Sequence, residues 1–258
     1  MVLKRWRETA LALALLGPLV VLLSLPPIPQ DPAYHAFADS RSALGIPNFL
    51  NVASNVAFLI VGGIGLAYCL RCKPEGATVS WTIFFAGTAL AAFGSAYYHW
   101  APGSEALVWD RLPMTIAFMA LFVALLSEHF GAGIERIGLP VALLVGLGSV
   151  AWWSYTDDLR LYAWVQFAPL VAVALMLALI PGRYSHRAYL GYALGFYVLA
   201  KLLEAGDMWI FTNTDHAVSG HSLKHVIAAL SPFCLYLMLR GRTASPSRLR
   251  GGVAPARV

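Results

Sequence analysis

Eight apolar stretches of about 17–22 residues recur along this chain, each long enough to cross a bilayer with some tilt. They run over roughly 9–26, 49–70, 80–99, 108–128, 136–154, 160–180, 187–204 and 221–240. Stretches of this length leave few folds open. Hydrocarbon offers no water to backbone N–H and C=O groups, so a spanning segment must satisfy them itself as a helix. The expected class is all-α, a polytopic transmembrane helix bundle. Composition agrees: 59% of the 258 residues are hydrophobic and 12% charged, where a soluble domain carries about 25%. Pro26, Pro27 and Pro29 close the first stretch, Lys73-Pro74-Glu75-Gly76 follows the second, Pro102-Gly103 divides the third from the fourth, and Pro181-Gly182 ends the sixth.

The charges orient the bundle. Lys4, Arg5 and Arg7, then Arg71 and Lys73, Arg136, Arg183 and Arg187, and Arg240, Arg242, Arg248, Arg250 and Arg257 all fall on one side. The positive-inside rule makes that side cytoplasmic, with both termini there. The opposite loops hold Asp31, Asp39, Glu105, Asp157, Asp158, Asp207 and Asp215. The net charge of +5 is spread between helices and over the tail, with no interleaved aromatic platform, and does not suggest nucleic acid. Lys4, Arg5 and Arg7 ahead of an apolar run also describe a signal peptide, but no small-x-small cleavage site follows, and a retained helix is expected. Cys69, Cys72 and Cys234 give no disulfide framework and read as apolar thiols.

Against this apolar background a few polar residues gather at one depth. Ser95 and His99 lie near the outer end of the third stretch, Asp110 near the outer start of the fourth, and His221 and His225 at the outer start of the eighth. Ionisable groups at membrane depth are costly and usually functional. His221 and His225 are i and i+4, so they leave one helical face, as the two histidines of an HExxH metal helix do. No glutamate lies between them, so a general base must come from elsewhere, and Asp110 is the available carboxylate. Three neutral imidazoles would hold zinc at about 2.0–2.1 Å with a fourth position open to a water whose pKa falls to about 7. Asp110 would shuttle that water's proton, and Ser95, i−4 from His99, would hydrogen-bond the water or the oxyanion.

Taken singly, each histidine reads as an interfacial polar residue at a helix end. His216, in the outer loop, is an alternative fourth ligand that would close the site and make zinc structural. Asn51 and Asn55 share a helical face and are expected to bond neighbouring helices. Lys201 and Glu204, i and i+3, are expected to pair, and Trp100 and Trp109 to sit in the aromatic belt. His35, His129 and His186 carry no assigned role.

Ser95-x-x-x-His99, Asp110 eleven residues on, and His221-x-x-x-His225 resemble the alkaline ceramidase family, within a superfamily of seven-helix hydrolases that includes adiponectin-receptor-like proteins. The segment Asn48-Phe-Leu-Asn-Val-Ala-Ser-Asn55 resembles the start of that family's core. The resemblance covers about residues 35–240. It implies a seven-helix hydrolase core over 35–240, preceded by an added helix and outer linker over 1–34, while the Arg-, Ser-, Gly- and Pro-rich composition of 241–258 predicts a disordered basic cytoplasmic tail. It further implies a zinc amidase that splits the N-acyl bond of ceramide or a ceramide-like lipid, with His99, His221 and His225 as ligands, Asp110 as acid/base and Ser95 as site serine. An ester lipase on phospholipids and a lipid-sensing receptor with structural zinc are the alternatives. The family's eukaryotic members carry an acidic calcium site before the first core helix. Here the stretch has one carboxylate, Asp39, too few for calcium, and Asp39 is expected to pair with Arg41 instead. The expected partners are a lipid substrate and the bilayer. Arg- and Ala-rich usage without an evident organelle signal points to a bacterial inner membrane, with the site facing the periplasm.

Overall fold

The structure, a computed structural model, describes residues 2–180 and 184–243. Its helices are α1 (Val2–Ser24), α2 (Phe49–Ala53), α3 (Val56–Cys72), α4 (Thr78–Trp100), α5 (Ser104–Phe130), α6 (Gly133–Thr156), α7 (Arg160–Leu179), α8 (Ala188–Ala205), α9 (Asp207–Asn213) and α10 (Gly220–Gly241). Among the described residues there is no strand, only an isolated bridge between Ala43 and Ile46. Arg183, Arg248, Arg250 and Arg257, and the expected tail from 244 onward, lie outside the described residues.

A helix stands at each of the eight apolar stretches. Seven spans are long and apolar enough to cross a membrane, counting α2 and α3 as one span over Phe49–Cys72. The eighth, α8, is 18 residues long and falls short of that. Its last turns carry Lys201 and Glu204, and the Glu204 carboxylate pairs with both Lys201 and Lys224 of α10.

The α2–α3 span contains one tightened turn. The Asn55 side-chain amide donates to the Asn51 carbonyl at 2.8 Å, which an unbroken helix would offer to the Asn55 backbone N–H. That N–H turns instead to Val52, at 3.3 Å. Side-chain capture of a backbone acceptor thus shifts the ladder from i−4 to i−3 and sets Ser54 and the residues after it on a new bearing.

The core runs between the helices through Trp81, Phe85, Leu125, Met176 and Leu235, all fully buried. At the end opposite the histidines, Arg242 pairs with Glu128 at 2.7 Å, and the Trp81 indole N–H donates to Glu128 at 2.6 Å. α1 lies at the edge, held along α7 by a hydrogen bond from the Trp164 indole to the Leu15 carbonyl at 2.8 Å. Cys69, Cys72 and Cys234 are free thiols.

The segment from Ile28 to Asn48 folds back over the end of the bundle that carries the histidines. The Ile28 carbonyl accepts from Leu159 N at 2.8 Å, and Gln30 accepts from the Arg111 guanidinium at 2.6 Å. Ala38 N donates to Asp207 at 3.0 Å, and the Asn48 amide donates to the His99 carbonyl at 2.8 Å. Arg41 grips Asp39 with two parallel bonds, each 2.8 Å, which is the pairing expected from the sequence.

Candidate active site

α10 begins where it does because its first N–H groups have partners. Ser219 is the N-cap and accepts from Ser222 N at 3.1 Å, while the Asp207 carboxylate accepts from His221 N at 2.7 Å. Gly220 permits this docking. A Cβ there would lie 2.2 Å from the Leu203 carbonyl oxygen of α8, so only glycine lets the two backbones meet. The start of α10 is fixed by these contacts, and His221 and His225 with it.

His99, near the end of α4, meets them from the other side. His99, His221 and His225 are all buried, and their ligand-capable nitrogens lie within 4.8 Å of one another. The His99 and His221 Nε2 atoms are 3.3 Å apart. Two nitrogens on a tetrahedral zinc with bonds of 2.0–2.1 Å would be separated by about 3.3–3.4 Å, so this spacing fits a shared ion. The His225 Nδ1 lies 2.8 Å from the Ser54 hydroxyl, which leaves Nε2 for the cluster. Phe37, from the overlying segment, packs against the rings of His99 and His221 at 4.7 and 4.6 Å.

Asp110 and Ser95 complete the group. Ser95 on α4 and Asp110 on α5 come together where these two helices pack. Their approach depends on Gly94, where a Cβ would stand 2.0 Å from the Trp109 carbonyl oxygen and 3.3 Å from the Asp110 Cα. Both residues, with His225, line a cavity of about 360 Å³. Its other end reaches Phe84, Leu121 and Leu235, deep in the bundle. Phe84 and Ser95 are eleven residues apart on α4, so the cavity extends about 16 Å along the helix axis. A single polar end on a long apolar slot suits an amphiphile with one reactive group near its head.

The sequence-predicted residues Ser95, His99, Asp110, His221 and His225 therefore converge. His216 does not join them. It is exposed, edge-on to the Phe211 ring at 4.8 Å, and outside the histidine cluster. Asn51 behaves as expected, joining Ser222 at 2.7 Å and the Asp39 carbonyl at 3.0 Å. Trp100 and Trp109 are exposed flanks of the outer turn. Sequence reasoning passed over Ser54, Phe37 and Asp207, whose side chains carry no pattern of their own. It also gave no role to His35, which hydrogen-bonds the Tyr98 hydroxyl at 2.9 Å beside the site. Burial and the Arg111 charge keep the His35 imidazole below its ordinary pKa.

The ceramidase family matches the chain over residues 44–240, from the overlying segment to the end of α10. The chain belongs to the ceramidase family. No curated protein matches it. The matched range includes every residue of the converging group, so the family's territory and the polar site coincide. Family membership supports a hydrolase acting on ceramide, and the apolar helices imply that it works from within a membrane.

Proposed function

We propose that the chain is an integral-membrane zinc amidohydrolase that cleaves the N-acyl bond of ceramide or a ceramide-like lipid to a fatty acid and a sphingoid base. The observation that carries this reading is the buried triad of His99, His221 and His225, of which His225 lines the polar end of an apolar cavity with Asp110 and Ser95. The donor set is three imidazoles with no fourth protein ligand among the described residues, which suits an open catalytic site better than a closed structural one.

His99, His221 and His225 would hold the zinc, which when bound supplies a Lewis acid at neutral pH. Asp110 takes the proton of the attacking water on its carboxylate. It returns that proton to the amide nitrogen as the C–N bond breaks, so the amine leaves neutral. Ser95 lines the same cavity wall as Asp110, and its hydroxyl would hydrogen-bond the carboxylate and hold it toward the reacting carbon. The apolar walls seat the acyl chain and exclude bulk water. The positive-inside pattern supports cytoplasmic termini and a site near the outer face, in a bacterial inner membrane on the periplasmic side.

The test is zinc content and ceramide hydrolysis, measured on the same detergent-purified samples of wild type, His225→Ala and Asp110→Asn. The expected result is about one zinc in wild type, loss of zinc and fatty acid release in His225→Ala, and zinc without turnover in Asp110→Asn. Full hydrolysis by metal-free His225→Ala overturns the reading. Release of fatty acid from phospholipid esters but not from ceramide reassigns the bond.

A further inference from the structure

The polar end of the cavity holds a second cluster that the hydrolytic scheme leaves unused. Lys201 and Glu204 on α8 and Lys224 on α10 line the same cavity as Asp110 and His225. Glu204 gives one carboxylate oxygen to each lysine, Oε2 to Lys201 and Oε1 to Lys224. Both oxygens are thereby engaged. Over the whole cavity wall, Lys201, Lys224 and Arg111 against Glu204 and Asp110 leave one positive charge uncompensated. Each ammonium has three N–H donors and gives one to Glu204, so donors remain on both. The side chains of Glu204 and Lys224 are mostly withdrawn, with 16% and 17% of their surface exposed, while that of Lys201 is 41% exposed. Surplus charge at the Lys224 end is costly unless an anion meets it.

The third cation in the cavity wall is pinned by neutral groups. The Arg111 guanidinium lies over the rings of Trp153 and Tyr162 at 4.0 and 4.4 Å and donates to Gln30. Its Nη1 has no hydrogen-bond partner, but the rings and Gln30 hold it in place, so the charge free to turn toward a ligand is that of the two lysines on their flexible stems. Lys224 directly precedes His225, so this charge stands beside the reacting centre and not at the apolar far end.

From this geometry we propose that Lys201, Glu204 and Lys224 form a carboxylate subsite for a long-chain amphiphile. The idea rests on the amidohydrolase reading, since amide hydrolysis turns a neutral acyl group into a carboxylate inside an apolar slot. The ion triad receives that new charge while the acyl tail still fills the cavity. The same subsite would take the carboxylate of an N-acyl amino acid, a substrate carrying its own anion.

The test is equilibrium binding to the full, zinc-loaded chain in detergent, with palmitate, its neutral counterpart palmitamide, and N-palmitoylglycine as probes. Palmitate is expected to bind about tenfold tighter than palmitamide. Lys201→Gln/Lys224→Gln removes that preference, and Glu204→Gln, which keeps both ammoniums and deletes their carboxylate, enlarges it. Zinc content unchanged in each variant shows that the histidine cluster is intact. Equal binding of the two palmitoyl probes to wild type overturns the proposal. So does a palmitate preference that survives in the double lysine variant, because the metal would then be the anion's partner. If the double variant does not fold, Glu204→Gln decides alone, and no gain in palmitate preference is fatal. Tight palmitate with weak N-palmitoylglycine makes the released product the natural anion, whereas tight N-palmitoylglycine makes it the substrate. Binding is read without turnover, so wild type that prefers palmitate yet leaves ceramide intact sinks the assigned reaction and keeps the subsite.

Discussion

The Ser54 hydroxyl lies 2.8 Å from Nδ1 of His225, across 171 residues of sequence. This bond fixes the ring's orientation and its tautomer, because an Nδ1–H donated to Ser54 leaves a bare Nε2 for the metal. Ser54→Ala removes the acceptor without touching a ligand. It is expected to weaken zinc affinity about 10–100-fold while His221 and His99 stay in place. Zinc competition with a calibrated chelator measures this. Unchanged affinity would mean that packing alone orients the ring.

Gly94 sets the distance between α4 and α5 at the site. In Gly94→Ala the new methyl would meet the Trp109 carbonyl at 2.0 Å, and backbone cannot step aside as a flexible side chain can. The overpacking is expected to cost about 1–3 kcal/mol of stability. It also pushes Asp110 on α5 away from Ser95 on α4, so turnover should fall more than tenfold, while His221 and His225 on α10 are untouched. A thermal melt and a zinc assay on one preparation separate the two effects. Wild-type turnover in a correctly folded Gly94→Ala protein would count against Asp110 as the proton carrier.

The segment over the site carries its own pH dependence. The paired bonds from Arg41 hold the Asp39 carboxyl below its usual value, against the opposing effect of burial. A carboxylate with a lowered folded pKa adds stability above its unfolded pKa of about 3.9, and that contribution disappears as pH falls through the folded value. The segment should therefore stay closed at neutral and mildly acid pH and loosen below about pH 4. Hydrogen exchange of amides 38–52 as a function of pH reads this directly. In Asp39→Asn the same amides should exchange fast at all pH values, and a wild-type profile in that variant would exclude the ion pair as the latch.

Arg242 closes the opposite end of the bundle. Its side chain and that of Glu128 are each only 4% exposed, and Glu128 also accepts from Trp81. Arg242→Ala leaves a buried carboxylate without its cation, which is expected to cost about 3–5 kcal/mol. Replacing both by Gln should recover part of the loss. The comparison needs only melting curves in one detergent, and a neutral Arg242→Ala would show that Glu128 is held by Trp81 alone.

Much of this architecture is legible in the sequence, because two strong physical constraints leave their mark there. Hydrocarbon demands uninterrupted apolar runs, so the helices can be read off by length. It also penalises ionisable groups, so Ser95, His99, Asp110, His221 and His225 stand out against their surroundings. The fixed pitch of a helix places His221 and His225 on one face before any fold is known. What the linear pattern could not give is which helix faces which. Ser54 is an ordinary serine until a tightened turn aims it at His225, and Phe37 is one more aromatic until its segment folds back over the histidines. Lys201 and Glu204 read as a surface pair at i, i+3, but Lys224 meets them from α10 and turns the pair into a triad with spare charge inside the cavity. Gly94 and Gly220 look like any helical glycines, and only the packed backbones show that no other residue fits there. The apolar pattern and the rare polar groups determine the elements and the chemistry available. The contacts between distant helices, which depend on shape and close approach more than on residue type, decide how that chemistry is arranged.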